Sequence, residues 1–124
     1  MKNILLITVA VLSILASSVS SHAYSVGDWV LGNYQGANYW FAGVISDVNK
    51  TGVSIRYDDG DLETVTLDRV RPYDWTVGSM VECNFKSSGR WYAGKITGLS
   101  GGNLAIAYDG GDKEQTKTAL CRSN

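Results

Sequence analysis

Apolar and polar residues alternate along this chain in short runs bounded by glycine and aspartate. Val53, Ile55 and Tyr57 fall on every second position, the period of a strand with one buried face. Trp29 to Tyr34 carries β-type residues and runs into the polar, glycine-bearing Gln35-Gly36-Ala37-Asn38. Trp40 to Ser46 predicts a second strand. Asp58-Asp59-Gly60-Asp61 predicts a tight turn, because aspartate bonds its own backbone and glycine supplies positive φ. Glu63 to Thr66 then returns as a fourth strand. Leu67 to Arg69 fits one helical turn, and Val70-Arg71 fits a very short last strand before Pro72.

The same pattern is written twice. With a shift of 51, residues 25–73 align on 76–124 without a gap, and about 15 of the 49 pairs are identical. Val26-Gly27 falls on Val77-Gly78, and Trp40-Phe41-Ala42-Gly43 on Trp91-Tyr92-Ala93-Gly94. IRYDDGDLE (Ile55–Glu63) returns as IAYDGGDKE (Ile106–Glu114). A register kept across the whole repeat predicts two modules, 24–75 and 76–124, joined at Asp74-Trp75. Five short strands in about 50 residues, without helical periodicity, predict a small antiparallel barrel for each. The predicted fold class is all-β, with two tandem five-stranded SH3-like barrels. Trp29, Trp75 and Met80 lie at module ends or the joint and are expected to pack the barrels together.

The N-terminus adds a compartment. Lys2, the apolar run Ile4 to Val11 extended by Ile14-Leu15-Ala16, and Ser21-His22-Ala23 have the layout of a secretory signal peptide, residues 1–23, cut after Ala23. The run is broken by Ser13, Ser17 and Ser18 and falls short of the roughly 20 apolar residues of a span. The expected location is secreted or periplasmic, with no membrane span after cleavage. There, Cys83 and Cys121 have one intramolecular pairing and are expected to form a disulfide. Two thiols without a histidine are too few for a zinc site.

Charge and chemistry narrow the function. The first module has four Lys/Arg against eight Asp/Glu, and the second six against four. This balance lacks the clustered cations that phosphate backbones demand, so no nucleic acid is expected. No histidine follows residue 23 and no serine stands beside an evident base, so catalysis is not expected. The carboxylates of the repeated turn lack the spacing of a calcium loop, and no metal or other cofactor is expected.

The motifs Gly-x-x-Val, Trp-Phe/Tyr-Ala-Gly-x-Ile and Ile-x-Tyr-Asp-x-Gly-Asp-x-Glu resemble the Tudor family, with Agenet and related SH3-like barrels. The tandem layout resembles tandem Tudor readers, in particular the methyl-lysine reader of the DNA-damage response. The resemblance covers essentially the whole chain after residue 23. It implies an open cage of aromatic rings and a carboxylate for methylated lysine or arginine. Carried over, the first module would offer Tyr34, Phe41, Tyr57, Asp59 and Asp61, and the second Phe85, Tyr92, Tyr108 and Asp112. Gly110 stands where the first module has Asp59. Aromatic faces attract a methylated ammonium by roughly 0.5–2 kcal/mol per contact. The resulting expectation is a monomeric, non-enzymatic module that binds a protein or peptide, methylated or not. The alternative is an assembly protein of the cell envelope whose barrels dock partners without a working cage.

Overall fold

The structure, a computed structural model, describes residues 23–124. The signal-peptide reading therefore lies outside the described residues, apart from Ala23. Among the described residues no helix is long and apolar enough to cross a membrane.

The first module is a five-stranded antiparallel sheet: β1 (Trp29–Gly32), β2 (Phe41–Val48), β3 (Gly52–Tyr57), β4 (Leu62–Thr66) and β5 (Val70–Pro72), in the order β4-β3-β2-β1-β5. The second repeats it with β6 (Met80–Asn84), β7 (Trp91–Ser100), β8 (Asn103–Tyr108), β9 (Lys113–Lys117) and β10 (Cys121–Arg122), in the equivalent order β10-β6-β7-β8-β9. Both are SH3-like barrels. Even the bulge in the long second strand recurs, between Ile45 and Asp47 and between Ile96 and Gly98.

The predicted elements shift in a few places. The first strand stops at Gly32, and Tyr34 opens a 3-10 turn, Tyr34–Gly36. Gly32 is the last residue of β1 and pairs with both Phe41 and Val70; a Cβ there would lie 2.4 Å from the Tyr57 hydroxyl, which is why glycine stands at this position. The second strand starts at Phe41, one residue later than read. Trp40 instead pairs with Ser123 of the other module. Pro72 lies inside β5, which is tolerable because β5 is an edge strand. Leu67–Arg69 forms the expected 3-10 turn.

The first core gathers Val30, Ile45, Val53, Ile55, Tyr57, Val65 and Val70. The second gathers Val81, Cys83, Ile96, Leu104, Ile106, Tyr108 and Cys121, and it also takes in Leu31, Ala42 and Trp75. Val30 and Leu31 are adjacent and both fully buried, so β1 is covered on both faces. One face fills its own barrel and the other meets the second module. Of the three residues expected between the barrels, only Trp75 packs as expected, at 5% exposure. Met80 is exposed on the second sheet. Trp29 is half-exposed at the rim of the seam, edge-on to Tyr73 at 5.6 Å. Cys83 and Cys121 stand opposite each other on β6 and β10 and form the disulfide.

Candidate ligand-binding site

In the first module the 3-10 turn presents Tyr34. Gln35 takes a left-handed φ of 55°, and the Asn33 side-chain amide ties the loop by donating to the carbonyls of Ala37 and Tyr39. Phe41 begins β2 and Tyr57 ends β3. Tyr34 meets Tyr57 edge to face at 5.4 Å and Phe41 at 6.2 Å. The repeated turn brings Asp59 and Asp61; Gly60 has φ 103°, and the Asp59 carboxylate accepts from the Asp61 N–H at 3.0 Å. These five residues line a pocket of about 120 Å³ together with Ala42 and, from the second module, Thr118 and Ala119.

Beneath it, Glu63 is the junction. Its carboxylate accepts from the Tyr57 hydroxyl at 2.8 Å, from the Gln35 N–H at 2.9 Å and from Arg69 at 2.5 Å. Arg69 also donates to the Asn33 carbonyl. Burial pushes the Glu63 carboxyl up, but the bonds from Arg69, Tyr57 and Gln35 outweigh it and hold the carboxyl below its ordinary range. Burial, then the bond to Glu63, pushes the Tyr57 hydroxyl far above its ordinary value. The neighbouring Asp61 charge raises that of Tyr34.

The second module repeats the arrangement on a larger scale. Phe85 meets Tyr108 at 5.4 Å and Tyr92 at 6.1 Å, both edge to face. These rings line a pocket of about 340 Å³ with Ala93, Asp109, Gly110 and Asp112. The Tyr108 hydroxyl donates to Glu114 at 2.6 Å, and Glu114 accepts from the Lys86 N–H at 2.9 Å. Leu120 stands at the position of Arg69, so this carboxylate has no arginine beneath it. Burial, then Glu114, raises the Tyr108 hydroxyl. The Lys86 ammonium hangs 5.2 Å over the Phe85 ring.

The nine residues read from the sequence thus fall into two pockets. Tyr57 and Tyr108 form their inner walls, with hydroxyls bonded to glutamates rather than to solvent. Tyr92 is 46% exposed, and Phe41 is half-buried. The adjacent tryptophans pack outside the barrels. Arg71 lies 4.2 Å over Trp40, and Arg122 lies 4.2 Å over Trp91 and 3.8 Å over Tyr39.

Sequence reasoning missed the supporting glutamates and the stacked arginines Arg71 and Arg122, although each is an identical pair in the 51-residue register, and it missed Arg69, whose counterpart is Leu120. It also missed Thr118, whose hydroxyl donates to Asp58 across the seam. Nothing could have flagged it, since its counterpart is Leu67. A cavity of about 400 Å³ in the seam is lined by Trp29, Tyr73, Asp58, Gly101, Asn103 and Lys117 among others. Its two rings meet edge to face, its one carboxylate, Asp58, is taken by the Thr118 hydroxyl, and Lys117 brings a cation into the lining.

No protein-family model matches the sequence, and no curated protein matches it significantly. Among solved structures it is similar to the crystal structure of the ADCP1 tandem Agenet domain 3-4. The identity is 18%, the match covers 82% of this chain and 80% of that one, and the TM-score is 0.37. It is also similar to AGD34 of Arabidopsis thaliana AGDP1, at 18% identity over 100% of this chain and 92% of that one, with a TM-score of 0.39. Superpositions at this level carry no argument about function, and the fold rests on the two sheets themselves.

Proposed function

We propose that this protein is a non-enzymatic binding module that holds a methylated lysine or arginine of a peptide in the aromatic pocket of its second module. The observation that carries this reading is the pocket of about 340 Å³ walled by Phe85, Tyr92 and Tyr108, with the Asp109 and Asp112 carboxylates at its rim and no cation in its lining. Ring faces attract a cation, methyl groups lower its desolvation cost, and a carboxylate adds charge or accepts a remaining N–H. The first module offers the same residue types in about 120 Å³, narrowed by Thr118 and Ala119, and takes the lesser role. Both described cysteines are in the disulfide, which supports an oxidising compartment, as does the reading of residues 1–23 as an export signal.

The test is an amide-resolved NMR titration with free trimethyl-lysine and matched unmodified lysine. Shifts at Phe85, Tyr92, Tyr108 and Asp112 are expected with the methylated form only. Tyr92→Ala is expected to weaken binding about tenfold, the loss of one well-placed ring contact. Equal shifts with both ligands, or silence from both pockets at millimolar ligand, would overturn the reading.

A further inference from the structure

The repeat lets one module show what the other lacks. On the first module, the outer edge beside the aromatic pocket is already covered by a segment of the chain itself. Thr118 donates its hydroxyl to Asp58, Ala119 lines the pocket beside Ala42, and Ser123 exchanges two main-chain hydrogen bonds with Trp40, at 2.8 and 3.0 Å. Ala42 is 4% exposed as a result.

On the second module the equivalent residues are Trp91, Ala93 and Asp109. The Trp91 ring is half-buried beneath Arg122 and against Phe41, but no described segment of the chain pairs with this edge as residues 118–123 pair with the first. Ala93 and Asp109 are exposed, and the Asp109 carboxylate has no hydrogen-bond partner among the described residues. The main chain of Trp91 is open as well. Hydrogen bonds alternate along an antiparallel pair. Phe85 N–H reaches the Arg90 carbonyl on the β6 side, while Asp109 N–H reaches the Ala93 carbonyl on the β8 side. Trp91 therefore turns its N–H and C=O toward the β8 side, beyond the point where β8 ends, as Trp40 does toward Ser123. No main-chain partner meets them there among the described residues.

We propose that this edge is a docking site for a peptide segment of another protein that makes one 3-10 turn and then runs extended, bound as the chain's own residues 118–123 (the 3-10 turn Thr118–Leu120, then β10) bind the first module. The single main-chain bridge at its extended end would set the register, as in peptide pairing with a sheet edge, and the flanking side chains would give selectivity. The fit specifies the partner. It carries a serine or threonine hydroxyl for Asp109, then a small residue to lie on Ala93. Five positions after the hydroxyl it has a residue with a free N–H to pair with Trp91. A second copy of this chain does not meet the specification. Its segment 118–123 is engaged internally. Its equivalent segment 67–72 offers Leu67 without a hydroxyl, Asp68 as a second negative charge beside Asp109, and Pro72 without an N–H.

The site shares Ala93 and Asp109 with the cation pocket but requires no methylated residue, so the shift that separates its test from that of the pocket is the one at Trp91, which the pocket does not include. The probe is a synthetic peptide of residues 118–124 carrying Cys121→Ser, titrated into the oxidised protein and followed by amide shifts. Shifts are expected at Trp91, Ala93 and Asp109, with Trp40 and Asp58 silent because their edge is filled. Ser123→Pro or Thr118→Val in the peptide, and Asp109→Ala in the protein, are each expected to weaken binding about tenfold. Silence at millimolar peptide would overturn the proposal. So would shifts centred on Trp40, or a Ser123→Pro peptide that binds equally well.

Discussion

Glu63 shows how much a single side chain can organise. It fastens the pocket wall (Tyr57), the loop that presents Tyr34 (through Gln35) and the turn before β5 (Arg69). Glu63→Gln removes the charge from a largely buried ion pair while leaving its partners in place. It is expected to lower stability by about 1–3 kcal/mol in urea unfolding, whereas Glu114→Gln, with no arginine beneath it, should cost about 1 kcal/mol. The same groups set the pH dependence. Glu63 and Asp68 have carboxyls depressed from 4.5 and 3.8, so their stabilisation is complete above those values and is lost as pH falls through the folded ones. Tyr57, Tyr73 and Tyr108 are raised from 10.0, so their contribution is present below that value and is lost as pH rises past it. Thermal melting across pH should show a plateau with both shoulders. The rings were legible because they recur at fixed offsets in aromatic form. The glutamates recur just as faithfully, yet an exposed-looking turn gave no hint that a buried tyrosine hydroxyl would reach them.

At the level of elements, strands and turns were readable wherever alternation or aspartate-glycine chemistry is local. They were misread where a neighbour decides. Trp40 looks like the start of a strand, but it is placed by Ser123, 83 positions later in the chain. Tyr34 looks like the end of one, but it opens the 3-10 turn that the Asn33 amide ties to Ala37 and Tyr39. The two-residue strand β10 is the weakest element by length and does the most bridging: it pairs with β6, bears Arg122 over Trp91, and leads to Ser123, which also accepts from the Trp75 indole at 3.1 Å. The disulfide closes a 38-residue separation onto this strand. Reduction, or Cys83→Ala with Cys121→Ala, is expected to lower stability by up to about 4 kcal/mol in the chain-entropy model, read by urea unfolding. Unchanged stability would mean that β10 is held by its pairing with β6 and its side chains without the crosslink.

Across the whole molecule the two modules are alike in fold and unlike in self-sufficiency. The first core is drawn entirely from residues 30–70, while the second also depends on Leu31, Ala42 and Trp75. That asymmetry could not be read from the repeat, because the alignment sets the buried Leu31 against the charged Glu82 and so gives no sign that β1 is covered twice. A fragment of residues 24–75 should give a dispersed amide spectrum, and one of residues 76–124 a collapsed one. Trp75→Ala in the full chain should cost about 3–5 kcal/mol. The shared core also bears on how the chain is made. Synthesis delivers the first module first, and domains generally fold as units in that order. The first barrel can therefore close while β6 to β10 are still being added, and its outer face then waits as a template on which the second barrel assembles. The crosslink cannot form before β6 to β9 have been made, because Cys121 lies in β10. An oxidant acting on this chain would therefore fasten a second barrel whose other strands are already made rather than guide their arrival.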